Sequence, residues 1–428
     1  MSPLEKDFIL TNVKDSSGAL IELGISGGKF VSIDSLGKKV TTIDGMALTV
    51  IPGLVDLHTH LREPGGEDAE TVLTGSQSAV AGGFTAISAM PNTEPAADTA
   101  GVVEQVYRLG ESHGLCAVFP IGAVTEKREG RALAELSAMN SSAAKVRIFS
   151  DDGNCVSDSL VMRRALEYVK SFDGIIAQHA QDPRLTENAE MNEGIVSSQL
   201  GLKGWPAVAE EAIIARDVLL AEHVGSRLHI CHVSTAGSVE IIRAAKKRGV
   251  KVTAEVTPHH LILDDEVARG YDPIFKVNPP LRRKSDIDAL RAGVVDGTID
   301  IIATDHAPHP SERKECEWSA AAFGMVGLET ALGISYAALV STRLITFDAL
   351  ISAMSTKPAQ IGGYEGHGAL TPGSFANFAL IDLNKTQSVE SNKLHSKSKN
   401  TPFANFELPL SVEKTFYRGR EVFSRDHA

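Results

Sequence analysis

Eight short apolar, β-type runs recur along the middle of this 428-residue chain, and stretches with helical spacing separate them. The runs are Val55–His58, Thr85–Met90, Ala117–Ile121, Val146–Phe149, Ile175–His179, Leu228–His232, Val252–Val256 and Ile301–Thr304. Between them, segments such as Ser159–Ser171 and Val208–Leu220 repeat Leu, Val, Ile and Ala at three- and four-residue intervals, the apolar stripe of a surface helix. Parallel strands are buried on both faces and need long crossovers, so they read as continuous apolar runs alternating with helices. Carried through eight repeats, that alternation predicts an α/β fold with a closed (β/α)8 TIM barrel over residues 51–365.

The two ends follow another pattern. Phe8–Val13 and Lys29–Ile33 alternate apolar and polar residues and are broken by Gly-Gly and Ser-Ser turns. The same pattern returns after Pro372-Gly373, in Phe378–Asp382 and in Lys414–Phe423, the latter folded back at Arg418-Gly419. Residues 1–50 and 366–428 are therefore expected to combine into one small β-sandwich beside the barrel. The Ser-, Lys- and Asn-rich stretch Lys385–Asn400 is expected to be an exposed, mobile loop.

Composition narrows the function. No apolar run approaches the roughly 20 residues that span a bilayer, and Met1–Asp7 lacks the basic start and apolar block of a secretory signal, so a cytoplasmic enzyme is expected. A formal charge of -12 argues against a nucleic-acid partner and leaves small molecules or other subunits. Cys116, Cys155, Cys231 and Cys316 are widely separated and form no Cys-x-x-Cys pair, which suggests reduced thiols.

In a barrel of this kind the reacting groups lie at the C-terminal ends of the strands. The first run ends in Asp56-Leu57-His58-Thr59-His60-Leu61-Arg62, where histidines two apart on a strand face the same side. The fourth ends in Asp151-Asp152, the fifth in His179, the sixth in His232 and the eighth in Asp305. Imidazoles and carboxylates on one rim suit zinc, and this set is large enough for two ions sharing a bridging carboxylate. Strand alternation places Cys231 on the face opposite His232. His259 and His260 are expected to support the site rather than ligate, His306 to face away from it, and His229 to have a surface or packing role.

Asp56–Gly65, Ala303–His309 followed by Lys314, Met90–Thr93, Ser150–Gly153 and Val277–Arg282 together resemble the class I dihydroorotases of the amidohydrolase superfamily, and the match covers nearly the whole chain. The resemblance implies reversible cyclisation of N-carbamoyl-L-aspartate to L-dihydroorotate in pyrimidine synthesis. It implies one or two zinc ions held by His58, His60, Asp152, His179, His232 and Asp305, with Asp305 as general acid and base toward a metal-activated hydroxide. Arg62, Asn92 and His309 would bind the substrate carboxylate, Asn278 the ring amide edge, and Phe323 and Gly324 would touch the substrate through their backbone. Asp152 rather than Asp151 would be the bridge. Related amidohydrolases use a carboxylated lysine there, but Lys145 sits roughly 20 Å from the rim at about 3.3 Å per residue.

Two other functions compete. Dihydropyrimidinases, hydantoinases and allantoinases share the barrel but usually carry the strand-four lysine, and most of their substrates lack the carboxylate. A non-catalytic dihydroorotase-like subunit supporting aspartate carbamoyltransferase would typically have lost metal ligands. A homodimer and an association with aspartate carbamoyltransferase are further expectations, and a lid is expected near Pro308–Phe323.

Overall fold

The eight apolar runs become eight parallel strands in the computed structural model, which describes residues 7–37 and 39–427. Met1–Lys6, read above for a secretory signal, lie outside the described residues. The barrel strands are Leu54–Thr59, Phe84–Ala89, Ala117–Pro120, Ile148–Phe149, Ile175–Gln178, Arg227–Ile230, Val252–Val256 and Ile301–Ile302. Parallel bridges between Gly122 and Phe149 and between Thr59 and His306 join the first three strands to the other five and close the cylinder. The His60 N–H donating to the His306 carbonyl at 2.8 Å lies on that seam.

Several strands stop earlier than their apolar runs. His179, His232 and Thr304 have already left the ladder. Side chains take over as hydrogen-bond partners there: the His232 N–H donates to Glu255 at 3.2 Å and the Thr304 N–H to Asp56 at 3.2 Å. Barrel helices are fixed at their ends by local chemistry. Asp158 caps Ser159–Lys170 by accepting from Leu160 and Val161, and Val208–Val224 ends at Gly225, whose φ of 72° suits glycine.

Both termini meet in one further sheet of eight strands, which include Phe8–Lys14, Leu20–Ser26, Lys29–Val31 and Thr49–Pro52 from the start of the chain. Phe378–Asp382, Ser411–Tyr417 and Arg420–Ser424 complete it from the end. Most neighbours in it pair antiparallel, but Phe8–Lys14 pairs in parallel with Thr41–Asp44. Four strand spacings of about 4.8 Å separate Lys29–Val31 from Phe378–Asp382 along the sheet, yet the Phe30 and Phe378 rings lie 5.9 Å apart. The sheet therefore curls over on itself and encloses a core of Phe8, Leu10, Ile25, Phe30, Phe378 and Phe416. Its strand Thr49–Pro52 runs past residue 50, and Gly53 alone joins it to the first barrel strand. A Cβ on Gly53 would lie 2.1 Å from Thr85 Oγ1, so close packing demands glycine there.

The expectation for Lys385–Asn400 holds only in part, since residues such as Lys385, Asn392 and Lys393 are exposed while others are not. Val389, Ser396, Ser398 and Asn400 are buried, and the stretch is strapped across the barrel. Ser398 Oγ donates to the Ala69 carbonyl at 2.7 Å, the Lys397 N–H to Glu70 at 3.0 Å and Asn400 Nδ2 to the Ala307 carbonyl at 3.0 Å. Polar composition signals exposure only when the polar groups face water, and these face backbone and carboxylate. No helix among the described residues is long and apolar enough to cross a membrane.

Candidate active site

Strand ends bring His58, His60, Asp152, His179, His232 and Asp305 into one buried cluster. Asp152 sits at its centre: Oδ1 lies 3.4 Å from His58 Nε2, 3.3 Å from His179 Nδ1 and 3.4 Å from His232 Nε2, while Oδ2 lies 3.4 Å from His60 Nε2. Asp305 Oδ1 approaches His60 Nε2 at 3.0 Å and His58 Nε2 at 3.3 Å. Two groups with metal-binding spacing result, His58–His60–Asp152 and Asp152–His179–His232, and they share one carboxylate. Asp151 points elsewhere, accepting from the Val124 and Thr125 N–H groups at 2.9 and 3.0 Å.

Partners behind the rings fix their tautomers. His58 Nδ1 donates to Glu255 at 2.5 Å, His60 Nδ1 to Asn92 Oδ1 at 2.9 Å and His179 Nε2 to Gln181 Oε1 at 2.8 Å. Each ring then turns a bare nitrogen toward Asp152, and His58 Nε2 is buried without a hydrogen-bond partner. Lone pairs of imidazole and carboxylate facing one another across 3.0–3.4 Å need positive charge between them. Neutral imidazoles and carboxylates with no thiolate suit a hydrolytic divalent cation, and the donor set fits one or two.

The electrostatics show the same demand for positive charge, which without a cation falls on a proton at His58. Burial depresses the His58 imidazole, but Asp152, Glu255 and Asp305 together push it well above its ordinary value. For Asp152 burial works upward, and His58, His179 and His232 overcome it and hold the carboxyl well below its ordinary range. Asp305 is lowered in the same way by His58 and His60 against its burial. His60 is itself lowered, mainly by burial.

Beneath the cluster lies a layer that sequence reasoning missed. Glu255 accepts from His58 Nδ1, from the His232 N–H and from His229 Nε2 at 3.0 Å, while Asp56 accepts from the His58 N–H at 3.0 Å. A carboxylate inside the buried and mostly apolar Val252–Val256 strand was the available signal. His229, expected at a surface or packing position, belongs to this layer. Cys231 also corrects its expectation, because its sulfur lies within 4.8 Å of His58 and Glu255 ligand atoms. Alternation fails because the strand ends at Ile230 and His232 takes a φ of 32°. Burial first, and Glu255 second, raise the Cys231 thiol and favour its protonated form.

Left-handed backbone recurs at the rim: Arg62 has φ 61° and Asp305 φ 47°, sparsely populated values for residues with a Cβ. Arg62 Nε donates to the Pro308 carbonyl at 3.2 Å, and His309 Nε2 donates to the Phe323 carbonyl at 2.7 Å. Burial, then the Arg62 charge, lowers His309 to about 3 and keeps it neutral. Asn278 Nδ2 donates to Gln181 Oε1 at 3.1 Å, and its Oδ1 is buried with no partner. The Gly324 N–H is already used, donating to the Lys276 carbonyl at 3.0 Å. His260 is engaged with Thr257 and the Pro279 carbonyl, and His306 faces Glu70 at 3.2 Å, away from the cluster.

A family model described as Dihydro-orotase-like matches residues 48–238. The chain is 61% identical over 390 residues to the dihydroorotase of Streptomyces coelicolor, covering 91% of each chain. It is 57% identical over 420 residues to that of Leifsonia xyli subsp. xyli, covering 97% of this chain and 95% of that protein. Among solved structures, the L-hydantoinase (dihydropyrimidinase) from Arthrobacter aurescens is similar over 98% of this chain and 96% of its own, with a TM-score of 0.87 and 25% identity. The barrel is thus common ground with hydantoinases, whereas sequence identity over most of the length singles out one branch, and the chain belongs to the dihydroorotase family of metal-dependent cyclic amidohydrolases.

Proposed function

We propose that this protein catalyses the reversible cyclisation of N-carbamoyl-L-aspartate to L-dihydroorotate. The observation that carries the reading is the shared Asp152, with bare imidazole nitrogens on both sides and Arg62, Asn92 and His309 around the same mouth. His58, His60, Asp152, His179, His232 and Asp305 would hold one or two zinc ions, Asp152 bridging. Bound there, a divalent cation supplies Lewis-acid polarisation of the amide carbonyl and acidifies water.

The chain's own groups do the rest. Asp305, kept ionised by its imidazole neighbours, takes the proton from the attacking water as the carbonyl C–O bond forms. It returns that proton to the ring nitrogen as the C–N bond breaks. In the biosynthetic direction the ureido nitrogen attacks and Asp305 protonates the departing oxygen. Arg62 and Asn92 Nδ2 meet the retained carboxylate, which would be expensive to leave dry and unpaired, and His309 would join them by turning its Nε2–H from the Phe323 carbonyl to the substrate. Asn278 Oδ1, an orphan acceptor, would receive a ring N–H, and the backbone at Phe323 and Gly324 would border the substrate. A homodimer, association with aspartate carbamoyltransferase and a cytoplasmic location belong to the same proposal, and sedimentation with and without that enzyme tests the first two.

Metal analysis beside turnover of L-dihydroorotate, dihydrouracil and hydantoin tests the reading. Zinc-loaded protein is expected to hydrolyse dihydroorotate far better than the two neutral rings. Preference for hydantoin would move the protein to the cyclic-imide branch, and metal-loaded protein inert toward all three would make it a supporting subunit.

A further inference from the structure

We infer that Arg128 is a second cationic recognition group for the acid-bearing substrate, acting with Arg62 and Asn92 to set specificity; this deepens the dihydroorotase reading and rests on it. Arg128 lies on the loop after the third barrel strand, outside the conspicuous motifs. Its Nη1 donates to the Asp152 carbonyl at 2.9 Å, which pins the guanidinium beside the central carboxylate. Its Nε is buried and has no partner.

Gly153 shows what that guanidinium faces. A Cβ on this residue would lie 3.5 Å from Arg128 Nη1 and 3.6 Å from Asn92 Nδ2, so the two donors flank one small space that glycine leaves open. Asn92 Oδ1 is occupied by His60 at 2.9 Å, so the amide turns its N–H donors toward that space. Two sets of donors with no acceptor assigned between them are a place for an anion.

The loop is built to hold Arg128 there. Lys127 and Arg128 take consecutive left-handed conformations, φ 52° and 58°, which are unfavourable without compensation. The Lys127 N–H donates to Asp98 at 2.8 Å, Asn154 Nδ2 to the Arg128 carbonyl at 3.0 Å and the Gly130 N–H to Thr125 Oγ1 at 2.9 Å. Thr125 in turn is bonded to Asp151, so the loop and the metal-side turn are one unit. Open-chain N-carbamoyl-L-aspartate carries two carboxylates: one reacts beside the divalent cation, and Arg128 offers the other a second guanidinium beside Arg62.

Kinetics of Arg128→Gln and Arg128→Lys in both directions, with metal content and ionic strength as controls, test the inference. Arg128→Gln is expected to raise KM about tenfold or more, with a smaller fall in kcat, unchanged metal content and a flatter rise of KM with salt. Arg128→Lys should restore the salt dependence and part of the KM, since charge returns without the planar fork. An unchanged KM with loss of metal or of kcat would mean that Arg128 only props Asp152, and the inference falls while the functional reading stands. Failure of the parent enzyme to act on dihydroorotate would overturn both.

Discussion

The floor and the wall of the site are held by different forces. On the floor, groups at strand ends are fixed by charge and by carboxylates beneath them: Glu255 grips His58, His229 and the His232 N–H, and Asp56 ties the first strand to the eighth. The wall comes from segments that belong to no barrel strand. Lys314 Nζ donates to the Lys276 and Ala322 carbonyls at 3.1 and 3.0 Å, Lys276 Nζ to the Trp318 carbonyl at 2.7 Å, and Asn400 reaches the Ala307 and Gly324 carbonyls. Removing a floor member strands a buried charge, whereas removing a wall member orphans neutral carbonyls, a several-fold smaller penalty. Chemistry should therefore fail through the floor, and substrate affinity through the wall.

The hardest break is at Asp305. Asp305→Asn keeps the shape and one oxygen but cannot accept the proton, so turnover is expected to fall about a thousandfold or more while much of the metal stays bound. Metal analysis beside the rate decides it, and an active asparagine variant would remove Asp305 from proton transfer. Glu255→Gln should act one layer down. His58 loses its carboxylate acceptor, and metal affinity is expected to drop about 10- to 100-fold, with activity recovering at high zinc. Unaltered affinity in a metal titration would make Glu255 a packing residue.

The metal-facing groups of the floor were legible in the sequence, while the carboxylates beneath them and most of the wall were not, for reasons visible in particular residues. Buried parallel strands read as short apolar runs, so all eight were found, and His58, His60, Asp152, His179, His232 and Asp305 stand at their C-terminal ends or within three residues past them. Cys231 was misplaced because alternation was extended beyond Ile230, where the backbone had already turned to a positive φ at His232. Glu255 escaped because a charge in a strand reads as one solvent-facing position. Ser396, Ser398 and Asn400 look like a solvated loop until their donors are paired with Glu70, Ala69 and Ala307 across more than 90 residues of chain. Arg128 carries no pattern at all, since its place depends on two left-handed residues.

The wall side of the comparison is sharpened by Asn400→Ala. It leaves the Ala307 and Gly324 carbonyls and the His309 N–H without their partner, about 1–3 kcal/mol of local stability per buried group. KM for dihydroorotate should rise several-fold with metal content unchanged. If metal is lost instead, wall and floor are one cooperative unit and the division fails.

The smallest effect is a pH dependence confined to the wall. Burial first, and the neighbouring Lys276 second, lower Lys314 from its ordinary 10.5 to about 7. The unfolded segment then binds more protons than the folded one between those values, so local stability rises with pH across that window. The penalty for a charged Lys314 is fully present below pH 7 and is relieved as pH approaches 10.5. Asp56 on the floor titrates on the other side: burial, with Glu255 a later contributor, raises it to about 7, so its contribution declines as pH climbs from 3.8 to 7 and changes little above. Raising pH from 7 to 9.5 should slow proteolytic nicking between Pro308 and Phe323 without changing metal retention, and Lys314→Met should abolish that dependence. Nicking rates that are equal at both pH values in the parent protein would show that the Lys314 amine is already accommodated as a cation by its two carbonyls, leaving the wall no softer than the floor.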